Sequence, residues 1–247
     1  MNYKEYGKEN AETVILLHGG GMNWWNYRRE AELLQSDYHV ILPVLDGHAG
    51  SDHPFTSIED NAAEIISFID ENLGSSVLLI GGLSLGAQIL TEMLSQRNDI
   101  CTHALIESAA VIPSGLTNAL VGPAFGSSYG LIKSRSFAKL QFASLHLDPD
   151  LFEDYYRDTC AITKPDMIAF MKANTSYSLK EPFAGCTADV HVYIGGKENR
   201  EIRQSAERIH AALAGSTLTV LPGLYHGEFS FNHPDDYVKT VKEIIQK

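Results

Sequence analysis

Val77-Leu78-Leu79-Ile80-Gly81-Gly82-Leu83-Ser84-Leu85-Gly86-Ala87-Gln88-Ile89-Leu90-Thr91-Glu92-Met93-Leu94 is the stretch that decides the fold of this chain. Val77–Gly81 is an apolar run short enough to be a strand buried on both faces. Gln88–Leu94 reads as helix. Between them stands Gly82-Leu83-Ser84-Leu85-Gly86, a G-x-S-x-G sequence in which a strand must turn sharply into a helix. Small residues at 82 and 86 let the backbone pass, so the Ser84 hydroxyl stands exposed at the helix N-terminus. The N–H of Leu85 then points toward a developing oxyanion, and Ser84 is the expected nucleophile. The same spelling recurs at Gly126-Ser127-Ser128-Tyr129-Gly130, but Pro123 lies just upstream and no strand leads into it. Context, not spelling, selects Ser84.

Working outward, five more apolar runs read as strands: Thr13–Leu17, Tyr38–Leu45, His103–Glu107, Val190–Ile194 and Thr217–Leu221. Helical stripes lie between them. Ile58, Ala62, Ile65, Ile66, Ile69 and Leu73 share one face, with Thr56-Ser57-Ile58-Glu59 as a capping box. Ile202, Ala206, Ile209 and Leu213 form another stripe. Pro234 suits the first turn of a last helix bearing Tyr237, Val238, Val241, Ile244 and Ile245. Strands alternating with amphipathic helices predict an α/β fold, a mostly parallel sheet flanked by helices on both faces. The first run opens into His18-Gly19-Gly20-Gly21. Glycines there allow a backbone N–H to turn toward the serine, and Gly20 is the expected second oxyanion donor, with Gly21 or Met22 as substitutes. A flexible turn explains the same glycines when the segment is taken alone.

The alternation fails once. From about residue 111 to 187 no strand pattern appears, and helical patterns with glycine-rich turns take over. This segment holds ten of the twenty-one Phe and Tyr residues, Phe125, Tyr129 and Tyr155 among them. Ordinary helical packing would account for it; its position between two sheet strands favours a helical cap inserted over the sheet. The expected organisation is one domain over residues 1–247, with that insertion.

Composition sets outer bounds. The 247 residues suffice for a full hydrophobic core, and 44% hydrophobic with 20% charged residues is ordinary soluble composition. A net charge of −12 argues against polyphosphate partners such as nucleic acid and against an anionic membrane surface, but it does not select a substrate; a small-molecule substrate is expected from the motifs. Oligomeric state is not legible. Cys101, Cys160 and Cys186 are odd in number and widely spaced, so buried free thiols in a reducing compartment are expected. The polar start MNYKEYGKEN lacks a secretory apolar stretch, which gives a cytoplasmic expectation. No clustered His/Asp/Glu spacing suggests a metal, no phosphate-loop motif is present, and no cofactor is expected.

With these motifs the chain resembles the α/β-hydrolase superfamily over nearly its whole length. Beyond the serine elbow, Pro43-Val44-Leu45-Asp46-Gly47-His48-Ala49-Gly50-Ser51 is similar to the family's D-x-P-G-H-G-x-S loop, and Tyr225-His226-Gly227 to its late histidine loop. The resemblance implies a triad in the order serine, acid, histidine. Of ten histidines, His226 alone sits on a loop between a strand and the last helices, and it is the expected base. His18 and His48 suit structural hydrogen bonding in their loops. The family's acid position falls in Gly195-Gly196-Lys197-Glu198, so the resemblance implies Glu198 in place of the usual Asp. Glu107, at the end of its strand, is the alternative acid; either could instead be a solvated carboxylate. Asp46 and Asp52 lie on the earlier loop and are less suited.

The chemistry implied is acyl transfer to water: a serine esterase acting on small or medium, largely apolar esters or thioesters, with Met22, Trp24, Trp25 and the aromatic cap lining the pocket. Two rivals share the sequence. One keeps the fold and triad but runs another reaction, as a C–C hydrolase, lyase or cofactor-free oxygenase. The other is a non-catalytic ligand-binding or signalling module with a relict triad.

Overall fold

All six apolar runs form strands of one sheet in the computed structural model, which describes residues 1–246. They are β2 (Thr13–Leu17), β3 (His39–Pro43), β4 (Val77–Leu83), β5 (Cys101–Glu107), β6 (Asp189–Gly195) and β7 (Thr217–Leu221). A seventh strand, β1 (Tyr3–Tyr6), was not legible in the sequence. It is short and mostly exposed, so it carries no apolar face to mark it. It pairs antiparallel with β3, while all the other pairings are parallel, in the order β1-β3-β2-β4-β5-β6-β7.

The helices are α1 (Arg28–Leu34), α2 (Ile58–Asn72), α3 (Leu85–Gln96), α4 (Gly115–Ile132), α5 (Arg135–Ser144), α6 (Phe152–Ala161), α7 (Lys164–Ser176), α8 (Arg200–Ala212), α9 (Glu228–Asn232) and α10 (Pro234–Ile245). One sheet face packs against α2, α3 and α8 through Ile58, Ile65, Ile89, Met93, Ile202 and Ile209. The other packs against α1 and α10 through Ala31, Leu34, Tyr237 and Val241. Each such aliphatic or aromatic side chain contributes roughly 1.5–3 kcal/mol by leaving water. The expected capping box over Thr56–Glu59 is corrected by one residue. Ser57 is the cap and accepts the Asp60 N–H at 3.0 Å, while Glu59 pairs with Lys180 at 2.8 Å.

Helices α4 to α7 occupy the whole stretch between β5 and the turn that leads into β6, with no strand among the described residues. Hydrogen-bonded ties fasten them to the sheet's helices and loops. Gln88 on α3 and Asn174 on α7 are joined by a side-chain bond of 2.9 Å, and Gln88 also donates to the Asn174 carbonyl at 2.9 Å. Trp25 Nε1 donates to Asp158 on α6 at 2.8 Å, and the Phe55 N–H donates to Asp166 on α7 at 2.9 Å. The second G-x-S-x-G spelling lies wholly inside α4, where Ser128 Oγ donates to the Ala124 carbonyl at 2.6 Å. It has no elbow geometry.

The true elbow is sterically exacting. A methyl built on Gly82 would lie 2.6 Å from the Gly86 backbone, and one on Gly86 would lie 2.2 Å from the Leu17 carbonyl oxygen. Neither neighbour is a flexible side chain. Gly86→Ala is therefore expected to leave the protein unfolded or insoluble, or to cost about 3 kcal/mol or more of stability, checked by circular dichroism in urea. Native-like stability in that variant would contradict the elbow described here. Among the described residues no helix is long and apolar enough to cross a membrane. All three cysteines are free, and Cys160 is half-buried rather than buried as expected.

Candidate active site

The site forms where β4 and its parallel neighbours end. Ser84 has φ 53° and ψ −109°, a conformation that costs a non-glycine residue about 1–3 kcal/mol and is held by the fixed turn around it. Its N–H donates to the Glu107 carbonyl at 2.9 Å, and its own carbonyl accepts the Gln88 N–H at 2.9 Å. Ser84 Oγ has no hydrogen-bond partner among the described residues and faces open space. The Leu85 N–H, first in α3, lies in the helix turn that has no intrahelical acceptor.

The glycine loop shows which of its N–H groups are already engaged. Gly19–Met22 is a turn in which the Met22 N–H donates to the Gly19 carbonyl at 3.1 Å and Gly21 takes φ 77°. The Gly21 N–H donates to His48 Nε2 at 3.0 Å. Both substitute donors are thus engaged elsewhere, whereas the Gly20 N–H has no partner among the described residues. Gly20 also packs directly on Leu85, since a methyl on it would meet Leu85 Cβ at 3.4 Å.

Two neutral histidines brace this loop. His48 donates from Nδ1 to the Asp46 carbonyl at 3.0 Å, and burial holds its pKa down to about 4. His18 donates to the Gly19 carbonyl at 2.9 Å and accepts the Leu45 N–H at 3.2 Å; burial, then the neighbouring His48, hold it well below its ordinary value. Accepting an N–H requires an unprotonated nitrogen, so this neutrality and the geometry agree.

His226 stands on the loop after β7 and before α9, with Gly227 in the left-handed region at φ 72°. Its Nδ1 lies 3.0 and 3.1 Å from the two Glu198 oxygens. The Glu198 side chain is nearly sealed from solvent, at 2% exposure against 44% for the imidazole. The loops carrying acid and base are stitched together: Gly196 N–H donates to the Leu221 carbonyl at 2.7 Å and Lys197 N–H to the Leu224 carbonyl at 2.9 Å. Burial acts to lower the His226 pKa, but the hydrogen bond and charge of Glu198, with the charge of Glu107, outweigh it and leave the pKa raised.

Ser108 was missed in the sequence. It follows β5 in a left-handed conformation at φ 56° and donates its hydroxyl to Glu198 Oε1 at 2.5 Å. The carboxylate is thereby held from two sides. No motif marks this serine; its only signal is its place one residue past a strand end beside the elbow.

Glu107 takes a different position. It is buried beneath the site, where Oε1 accepts the Ser230 N–H at 3.4 Å and Oε2 has no partner among the described residues. It makes no hydrogen bond to His226. Burial raises its carboxyl pKa to about 7. A folded-state value above the ordinary 4.5 means that the folded form binds the extra proton, so stability is lost as pH rises from about 4.5 through 7. Glu107→Gln is expected to remove that loss, gaining on the order of 3 kcal/mol over the parent at pH 8.5 relative to pH 4.5 in urea titrations. Equal pH dependence in both proteins would show that Glu107 does not carry it.

Ser84 and His226 line two cavities together. One, of about 130 Å³, is closed by Leu83, Leu145, Leu147 and Phe231 and adjoins Gly20 and Met22. Past these shared residues lies a further, mostly apolar cavity of about 220 Å³, with Phe125, Ile132, Tyr155, Met167, Phe170 and Met171 in its wall. The other, of about 260 Å³, is more polar, with Ser114, Thr117, Asn174 and Asn199 on its wall. Of the expected apolar lining, Met22, Phe125 and Tyr155 are present. Tyr129 is turned away, donating to the Ile162 carbonyl at 2.6 Å. The two tryptophans are a correction: Trp25 is buried against Phe231 and tied to Asp158, and Trp24 lies under Lys4 and Arg28.

The sheet order, the elbow and the histidine loop agree with sequence comparison: the model of the alpha/beta hydrolase family matches residues 14–240, and the chain belongs to that family. Lipase 1 of Psychrobacter immobilis is 29% identical over 138 residues, which cover 54% of this chain and 43% of that lipase. The aligned stretch is thus less than half the length of that curated relative. Among solved structures, the enol-lactonase from Burkholderia xenovorans LB400 superposes with a TM-score of 0.84 at 16% identity, covering 100% of this chain and 96% of that one. An esterase from Exiguobacterium antarcticum gives 0.83 at 20% identity, covering 99% and 95%. At these identities the two structures speak to fold.

Proposed function

We propose that this protein hydrolyses small to medium, largely apolar carboxylic esters or thioesters through Ser84, His226 and Glu198. The observation that carries the reading is the Glu198 carboxylate on Nδ1 of an imidazole that shares two cavities with a strained, unpartnered serine. His226 Nε2 takes the Ser84 proton as Oγ attacks the carbonyl carbon, and Glu198 stabilises the imidazolium. The Gly20 and Leu85 N–H groups receive the oxyanion. Collapse expels the alcohol or thiol, protonated by His226, and leaves an acyl-serine. Water, deprotonated by His226, then releases the acid and restores the serine. In this reading α4–α7 act as a cap, the apolar cavities take the acyl chain, and the polar one takes the leaving group.

Labelling tests the central claim. A fluorophosphonate is expected to modify Ser84 stoichiometrically in folded protein, seen by peptide mass spectrometry; absence of labelling would count against an active nucleophile. The acyl assignment predicts a chain-length series. With p-nitrophenyl esters, each methylene that enters the apolar cavity should raise kcat/KM by up to about fourfold, from about 0.8 kcal/mol per buried CH₂, until the cavity is full. Met171→Trp should then shift the preferred chain to shorter acids. An unchanged profile would place the acyl chain elsewhere.

A further inference from the structure

At the end of the sheet remote from Ser84, β5 and β6 bring three side chains together that the proposed reaction does not use. His103 pairs in register with Asp189, and His191 stands two residues further along β6. Alternation along a strand puts all three on one face of the sheet. His191 Nε2 lies 2.9 Å from Asp189 Oδ2, and His103 Nδ1 lies 3.8 Å from the same oxygen. One donor atom from each falls within 4.8 Å of the other two. His103 lies four residue steps from the strand end at Glu107, so it and Asp189 sit about 13 Å from the level of the active site.

Hydrogen bonding alone leaves this group incomplete. His191 is satisfied by Asp189 at 2.9 Å and by Thr217 Oγ1 at 2.9 Å. His103 Nδ1, on a side chain only 10% exposed, is aimed at the same carboxylate yet has no hydrogen-bond partner among the described residues. A lone buried nitrogen facing an oxygen that already serves another imidazole has an unmet demand. His103 and His191 are buried, but Asp189 keeps 40% exposure, so the group reaches solution at its carboxylate.

We propose that His103, Asp189 and His191 form a binding site for a borderline divalent transition-metal ion, with zinc as its natural probe. Two imidazole nitrogens and one carboxylate oxygen suit zinc, copper or nickel rather than calcium or magnesium, which want oxygen ligands throughout. Zinc bonds of about 2.0–2.2 Å place tetrahedral donors about 3.4 Å apart, close to the separations here. In the loaded site His191 donates from Nδ1 to Thr217 and offers the Nε2 lone pair to the ion, while His103 Nδ1 gains its missing partner. Water completes the coordination. The ion ties β5 to β6 as a structural clamp and takes no part in ester turnover. No sequence spacing betrayed it, because His103 and Asp189 come from strands separated by the whole helical insertion.

The test is zinc titration of the full chain against a chromophoric chelator, with thermal melts alongside. The parent is expected to bind one zinc ion with Kd below about 10 µM and to melt higher when loaded. Asp189→Asn, at an accessible position, and His103→Gln should each weaken binding at least about tenfold and lose the melting shift, while esterase turnover stays at the parent level. His226→Ala should retain the binding, which separates this site from zinc held at the active centre. The proposal is overturned if the parent shows no saturable binding up to about 100 µM, or if Asp189→Asn and His103→Gln both bind as the parent does. It is equally overturned if His226→Ala abolishes binding.

Discussion

Ser84→Ala is expected to lower kcat on a p-nitrophenyl ester by about 10⁴-fold or more, with the melting temperature kept or raised. The size follows from the division of labour in the site. On the proposed mechanism no acyl-serine forms without Oγ, and the only catalysis left is what the Gly20 and Leu85 N–H groups would give to direct attack by water. That remainder is a small fraction of the parent rate. Stability is expected to stay at the parent level or rise slightly, because the strained backbone at φ 53° is common to both proteins. Alanine keeps that strain but removes a hydroxyl with no hydrogen-bond partner. Two readouts decide the matter: steady-state kcat with the burst of nitrophenol, and the urea midpoint. Loss of both burst and turnover in a folded variant supports the acyl-serine. Turnover that survives would mean that water or another group attacks directly, as in the rival reactions open to this fold, and the covalent route would fall.

The grounds for Ser84 show what a sequence can and cannot carry. Two serines share the G-x-S-x-G spelling, and only the strand before Ser84 and the helix after it separated them; the structure places Ser128 in mid-helix. Strand positions were legible because buried parallel strands read as continuous apolar runs. β1 was not, since an exposed four-residue edge strand has no such run. The loop position of His226 was legible, and the structure sets its Nδ1 on Glu198. Which of the Gly20, Gly21 and Met22 N–H groups stays without a partner was not legible, because that turns on which N–H the turn and His48 consume. Ser108 and the His103 group were hidden for a related reason: their partners arrive from distant strands, and register is set by the whole sheet. The tryptophans misled because an aromatic beside a glycine loop reads as pocket lining, whereas Trp25 serves to bind α6 through Asp158.

Glu198→Gln gives the second large effect, and it discriminates between the two acids. The imidazole needs a negative partner at Nδ1 to fix its tautomer and stabilise the imidazolium formed as Ser84 loses its proton. Glutamine keeps the shape but not the charge, and kcat is expected to fall about 10³–10⁴-fold. The pH profile supplies a sign that a merely structural change would not reproduce. On the proposed mechanism His226 works as a neutral base, so kcat/KM should rise with pH through its pKa, which in the parent is raised against desolvation by the bond and charge of Glu198. Removing that charge lowers the pKa, so the acidic limb of Glu198→Gln moves to lower pH while its plateau drops. Glu107→Gln should behave differently. Its carboxyl makes no bond to the imidazole and is half-protonated near neutrality, at about 7. Turnover there is expected within about tenfold of the parent, with the change appearing in the pH dependence of stability instead. Should Glu107→Gln suffer the large loss and Glu198→Gln remain active, the roles of the two carboxylates reverse. Glu198 would then only help to position the loop, and the charge that matters to His226 would come from below the sheet end.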